Sequence, residues 1–162
     1  MSDLQETLEG IINTIRNPSE GLPEEVFLFA TQITPMVNVD LLIRDSTDRL
    51  LLSWRDDSYC GCGWHVPGGI IRLKETFSER IQKTALKELG CMVLFDPAPL
   101  EVREIIQKQR KIRSHFITFV YSCRLPAGET IHSQKHFGEN GYLKWHNVCP
   151  ENMIPCHHFY RK

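Results

Sequence analysis

Residues 65–91 read HVPGGIIRLKETFSERIQKTALKELGC, and the reading of this stretch decides the fold. A short apolar piece breaks at Pro67-Gly68-Gly69, passes through a polar loop and enters a helix. Thr76 is placed to cap that helix, with Glu79 three residues on to complete a capping box. Phe77, Ile81, Ala85 and Leu89 recur every four residues, so one face packs on a core. Gly90 supplies the stop.

The residue that does not fit a plain amphipathic helix is Glu88. A carboxylate in the last turn lies against the negative end of the helix dipole. It is either a solvated surface group or the ligand of a cation that neutralises it. Mg²⁺ suits the second reading, because hard cations take carboxylate and carbonyl oxygens. The two glycines let backbone approach such an ion or a phosphate closely.

The spacing resembles the Nudix box: Gly, five residues, Glu, seven residues, then Arg-Glu-apolar-x-Glu-Glu-x-Gly-apolar. Gly69, Glu75, Ala85, Glu88, Gly90 and Cys91 fall on its positions. Lys83 stands where the box has Arg, and Thr84 and Lys87 stand where it has its first two clustered Glu residues. One branch, the GDP-mannose mannosyl hydrolases, likewise keeps only the last Glu of the cluster and binds one Mg²⁺. The likeness to that branch extends to residues 34–40 (TPMVNVD), 51–55 (LLSWR) and 64–69 (WHVPGG), and covers residues 22–145.

The resemblance implies an α/β fold, an α/β/α sandwich with a mixed β-sheet. It also implies a Mg²⁺-dependent hydrolase acting on a nucleoside diphosphate sugar (GDP-mannose-like) or a related nucleoside diphosphate compound. The metal would sit on Glu88 with the carbonyl of Gly68 or Gly69. Arg55 and Arg72 are the candidates for the phosphates, since a guanidinium matches phosphate oxygens bidentately. The branch carries an Arg directly after its Gly-Gly pair, where this chain has Ile70; Arg72 is the nearest substitute. Asp40 and Arg55 match positions at the substrate. The branch's base is a His on the loop before the last strand, where this chain has His132 and His136; Glu139 is a carboxylate alternative. The departures also support a reading of another class, a catalytically weak Nudix domain that binds a nucleotide or a protein partner.

The rest of the chain agrees with one domain spanning residues 1–162, of which 1–21 form an N-terminal helical extension. A net charge of −1 leaves no basic surplus to hold a nucleic-acid backbone. No apolar run has the length of a membrane span, and MSDLQETLEG does not read as a signal peptide, so a cytoplasmic location is expected. All six cysteines are then expected as free thiols. Cys91 and Cys123 read as small buried hydrophobes. Cys60, Cys62, Cys149 and Cys156 offer only loose spacing for zinc.

Leu4, Leu8 and Ile15 pattern a helix over residues 3–16, read as a core cover or as the arm of a homodimer. Pro23 opens a second helix that ends before Pro35. Residues 36–44 and 49–54 read as a hairpin, and residues 56–63 as a loop in which Tyr59 or Trp64 could stack on a base. Asp40, alone in an apolar strand, is either half of a buried ion pair with an Arg or a substrate group that is solvated in the empty site. Residues 101–109 and 115–124 read as strands joined by a basic turn, Arg110-Lys111-Ile112-Arg113.

Overall fold

The computed structural model describes residues 2–131 and 135–161. Helix α1 (Asp3–Thr14) is capped by Ser2, and helix α2 (Glu24–Ile33) starts after Pro23, whose fixed φ suits a helix start. Helix α1 does not cover the core: it buries no residue, and Leu4 and Ile12 are 67% and 62% exposed. No helix among the described residues is long and apolar enough to cross a membrane.

The main sheet is mixed. Strand β1 (Met36–Ile43) lies at its centre, parallel to β7 (His115–Arg124) and antiparallel to β4 (Gly68–Ile70). Strands β5 (Leu94–Phe95) and β6 (Glu101–Ile106) both pair with β7, one after the other along its far edge. A second sheet has the order β3-β2-β8, with β2 at Leu50–Asp57, β3 at Gly61–His65 and β8 at Leu143–His146. The α/β class with a mixed sheet is as the sequence implied.

The expected β1–β2 hairpin does not form. Both edges of β1 are taken by β4 and β7, so after a single bridge between Arg44 and Leu50 strand β2 leaves for the other sheet. There its two faces serve two cores. Leu51 joins Val39, Leu41 and Ile43 under helix α3 (Phe77–Leu89), whereas Leu50, Leu52 and Trp54 join Trp64, Val66 and Met153. Residues 56–63 are not an open loop, because β2 and β3 pair through Asp57 and Gly61. Trp64, 4% exposed, belongs to the second core, so its ring is not free to stack; the Tyr59 hydroxyl donates to Glu24.

Helix α3 carries the capping box foreseen from Thr76 and Glu79, and Gly90 ends it in the left-handed region at φ 81°. Ile81, Ala85 and Leu89 face the core. After β8 the chain runs alongside β3, with a parallel bridge between Trp64 and Met153, and closes in a 3-10 helix, Pro155–Arg161, which the sequence pattern did not announce.

The turn between β3 and β4 is built tightly against β1 and α3. A methyl group on Gly68 would lie 2.6 Å from Asp40 Oδ1 and 2.8 Å from the Val39 carbonyl oxygen. A methyl on Gly69 would meet the Thr84 hydroxyl. Gly68→Ala should therefore destabilise the protein by about 1–3 kcal/mol, as overpacking against backbone does. Urea unfolding monitored by tryptophan fluorescence checks this, and a midpoint unchanged from the parent would contradict the close approach.

Candidate active site

Glu75 shows how the loop before α3 is held. Its carboxylate, 2% exposed, takes two bonds from Arg80 (2.7 and 2.9 Å), one from Lys83 (3.0 Å) and one from the Arg72 amide (3.0 Å). Lys83, the residue standing for the Arg of the box, thus reaches Glu75. This ring of bonds fixes the loop that presents Gly68 and Gly69 to the last turns of α3.

Two cavities flank that turn. An open cleft of about 550 Å³ is bordered by Trp54, Asp57, Gly90 and Asn140. A more enclosed cavity of about 330 Å³ lies between α2, β1, β4 and the basic turn, with Phe27, Ile105 and Phe116 on its apolar side. Arg55, His65, Lys87 and Glu88 line both. The enclosed cavity also receives Arg72, Arg80, Arg110 and Arg113. The basic turn after β6 therefore folds over the cavity; Arg113 packs its guanidinium on the Tyr59 ring, 4.8 Å from the centroid.

Glu88 and Asp40 both touch Gly68. The Gly68 amide donates to Glu88 Oε1 at 3.3 Å, and the Gly68 α-carbon packs against Asp40. The register of β1 and β4 gives the direction of the backbone. The bonds from Leu41 to Pro67 and from Ile71 to Val37 make Val39 and Gly69 a hydrogen-bonded pair. The Gly69 carbonyl is thus turned into the sheet, while the peptide groups of Gly68 face α3 and Glu88. Of the two glycines named from the sequence, Gly68 has the carbonyl on the Glu88 side.

Burial raises the pKa of Glu88 to about 7 against the opposing Gly68 amide and the Arg55 and Lys87 charges, and the nearby Asp40 adds to the rise. Burial raises Asp40 to about 7 as well, against hydrogen bonds from Tyr160 and Asn38 and the Arg55 charge. Asp40 is 1% exposed, not solvated, and its bonding partners are not an arginine. It accepts from the Tyr160 hydroxyl (2.8 Å) and from Asn38 Nδ2 (3.0 Å), with His157 Nε2 at 3.6 Å.

The two buried imidazoles are fixed by the peptide groups of Val66. His65 Nδ1 lies 2.8 Å from the Val66 carbonyl and must donate to it. His157 Nδ1 accepts from the Val66 amide at 3.0 Å, which puts its proton on Nε2, facing Asp40. Burial holds both neutral: His65 is lowered to about 3, and His157 lies well below the usual range. Tyr160 and His157 come from the C-terminal 3-10 helix and were missed from the sequence, because their contacts depend on chain return and not on local pattern. The Cys156-His157-His158 run was the only signal there.

Of the other residues singled out from the sequence, Arg55 is central; it also pairs with Asp57 at 3.3 Å. Arg72 reaches the enclosed cavity, packs beneath Gly21, and has a buried Nε without a partner. His136 and Glu139 lie on an exposed turn where the Glu139 carboxylate accepts the His136 amide; neither lines either cavity. The end of the turn is tied to β2, where Asn140 makes two bonds to the Asp56 backbone (2.6 and 2.7 Å). His132 lies outside the described residues.

A divalent cation fits the wall in a restricted way. Among the described residues no group of three or more His, Cys, Asp or Glu side chains could hold a metal by itself. One half-buried carboxylate, a carbonyl on its side and an unpartnered Thr84 hydroxyl one turn earlier in the helix are present. That set suits Mg²⁺, which keeps waters and is commonly held by one or two carboxylates together with substrate phosphates.

Residues 34–152 match the family model described as NUDIX domain. The chain belongs to the NUDIX family. A low-salt glycan biosynthesis protein, Agl8 of Haloferax volcanii, is 30% identical over 84 residues, which make up 52% of this chain and 53% of that protein. The NUDIX chain thus matches about half the length of this curated relative. Among solved structures, a MutT NUDIX hydrolase from Burkholderia pseudomallei superposes with a TM-score of 0.60 at 20% identity, covering 78% of this chain and 95% of that one. A UDP-X diphosphatase superposes with a TM-score of 0.56 at 21% identity, covering 94% and 71%. At these identities the structures establish a shared fold.

The two raised carboxyls set a pH dependence. Each binds its proton more tightly in the folded chain than in the unfolded one, so stability falls as pH rises from the ordinary carboxylate range through about 7. Glu88→Gln removes one of the two ionisations. In metal-free buffer its Tm should exceed the parent's by about 2–4 °C near pH ~8 and equal it near pH ~4. Calorimetry across that range checks this; parallel curves for the two proteins would contradict it.

Proposed function

We propose that this NUDIX domain hydrolyses a nucleoside diphosphate compound, in the first place a nucleotide sugar of the GDP-mannose type, with one Mg²⁺ ion. The observation that carries the reading is the wall shared by the two cavities. A diphosphate lying on Arg55, Lys87 and Glu88 would have one cavity on each side for its two substituents. The enclosed cavity, with Phe27 and Phe116, suits a nucleoside; the open cleft, with Asp57 and Asn140, suits a sugar. The similarity to a UDP-X diphosphatase and to a glycan biosynthesis protein supports the same class of substrate.

In this reading Glu88 and the Gly68 carbonyl hold the ion, with the Thr84 hydroxyl beside them. The bound Mg²⁺ supplies charge neutralisation at the diphosphate. Arg55 grips the phosphates from the β2 side, and Arg72 and Arg110 complete the positive field of the enclosed cavity. Lys87 places an ammonium where the usual box has a metal-binding carboxylate, so one fixed charge replaces part of a metal cluster. Asp40 is the proton acceptor we favour over His136 and Glu139. It lines the enclosed cavity, it takes up a proton near neutral pH, and Tyr160 and Asn38 fix its orientation.

The test is Mg²⁺-dependent turnover of a panel of nucleotide sugars and nucleoside diphosphates. Asp40→Asn should lower kcat by about a hundredfold or more with little change in KM. Arg55→Lys should raise KM on the order of tenfold, because an ammonium cannot reproduce a bidentate grip. Nucleotide binding measured by calorimetry, with no turnover under any divalent metal, would replace the enzyme reading by that of a binding domain.

A further inference from the structure

The hydrolytic reading leaves one pair of reactive side chains on the cavity wall unused. Cys60 closes the turn between β2 and β3, where Asp57 Oδ1 accepts from the amides of Tyr59 (2.8 Å) and Cys60 (2.7 Å). The turn is thereby pinned, and the Cys60 side chain lines the enclosed cavity. Its sulfur lies 3.7 Å from Arg55 Nη1 and 4.0 Å from Arg110 Nη1. Cys156, in the C-terminal 3-10 helix, lines the same cavity, and its side chain is the largest single influence on the Cys60 thiol. Two cysteines far apart in sequence are thus side by side, one of them facing two guanidinium groups.

We propose that Cys60 reacts with hydrogen peroxide and that Cys156 is its resolving partner, so that oxidation joins the β2–β3 turn to the C-terminal helix by a disulfide. In the first step the Cys60 thiolate attacks one peroxide oxygen. The O–O bond breaks, hydroxide leaves, and the sulfur is oxidised by two electrons to a sulfenic acid as the peroxide is reduced. In the second step the Cys156 sulfur attacks the Cys60 sulfur. The S–S bond forms, the S–O bond breaks, and the hydroxyl leaves with the thiol proton as water. One thiolate, one thiol and one peroxide give a disulfide, one water and one hydroxide.

The surroundings divide the roles in this order. The Cys156 hydrogen bond, outweighing burial, and then the Arg55 and Arg110 contacts pull the Cys60 thiol below the ordinary cysteine range. The same contact and burial push Cys156 up, so Cys156 keeps its proton. Cys91 and Cys123, 5% and 1% exposed, are raised by burial and lack this chemistry. A disulfide here removes the negative sulfur beside Arg55 and ties down the helix that brings His157 and Tyr160 to Asp40. Any effect on catalysis rests on the function proposed above; the chemistry of the pair does not.

The experiment is chemical and needs no turnover. The reduced full-length protein is treated with hydrogen peroxide, quenched and digested for mass spectrometry. A peptide joining Cys60 to Cys156 is expected in the parent. In Cys156→Ser a dimedone adduct on Cys60 should replace it, and Cys60→Ser should give neither product. Without any substitution, iodoacetamide at about pH 6 should alkylate Cys60 roughly tenfold faster than the more exposed Cys62, because the thiolate is the reacting form. Alkylation of Cys60 no faster than Cys62, or peroxide treatment that yields no Cys60–Cys156 peptide, would overturn the proposal.

Discussion

Two carboxyl groups converge on the backbone of Gly68, and most of the molecule is arranged to hold them there. Glu88 takes the Gly68 amide, and Asp40 occupies the space that any side chain at position 68 would need. Burial keeps both close to half-protonated near neutral pH. Such a pair is unfavourable in a plain core. It persists because the surrounding structure fixes it: a capped helix carries Glu88, the central strand carries Asp40, and Arg55 supplies one opposing charge to both. A site whose carboxylates are raised in pKa when empty gains most from a cation, since the ion lowers the cost of ionising them.

The departures from the usual box become physically coherent in this setting. Thr84 packs on Gly69, so the loop can lie flat on α3. Lys83 joins Arg80 on Glu75 and keeps the loop anchored. Lys87 adds a positive charge to the wall shared by the cavities. With Arg55, Arg72, Arg110 and Arg113 it makes a binding region of strong positive charge inside a chain whose net charge is only −1. Whole-chain charge shows no basic surplus and does not reveal the positive charge concentrated in the cavity.

The parts of the fold legible in the sequence were those set by local rules. The Thr76–Glu79 cap, the four-residue apolar spacing of α3 and the Gly90 stop each act within one or two turns. The same holds for Pro23 and for the strand over residues 115–124. What failed depended on competition between distant segments. The β1–β2 hairpin had the right composition, but β7 and β4 occupy both edges of β1. Trp64 looked available for stacking and is instead packed edge-on to Trp54. The resemblance points to Asp40 and Arg55, and both lie on one cavity; Asn38 bonds Asp40 from the same strand, yet its other neighbours, Tyr160 and His157, come from the end of the chain, which no periodicity links to position 40. His136 and Glu139 come from the same resemblance, and their turn holds neither of them against the two cavities.

We propose Glu88, through its position on Gly68, as the protein's contribution to a single cation site completed by a diphosphate. The most direct measurement is anomalous diffraction from a crystal grown with Mn²⁺ and a non-hydrolysable nucleoside diphosphate sugar. The account predicts one ion bound to a Glu88 carboxylate oxygen and to the Gly68 carbonyl at about 2.0–2.3 Å, with phosphate oxygens completing the coordination and Arg55 on the diphosphate. An ion bound elsewhere with Glu88 untouched, or a diphosphate seated away from Arg55, would contradict it.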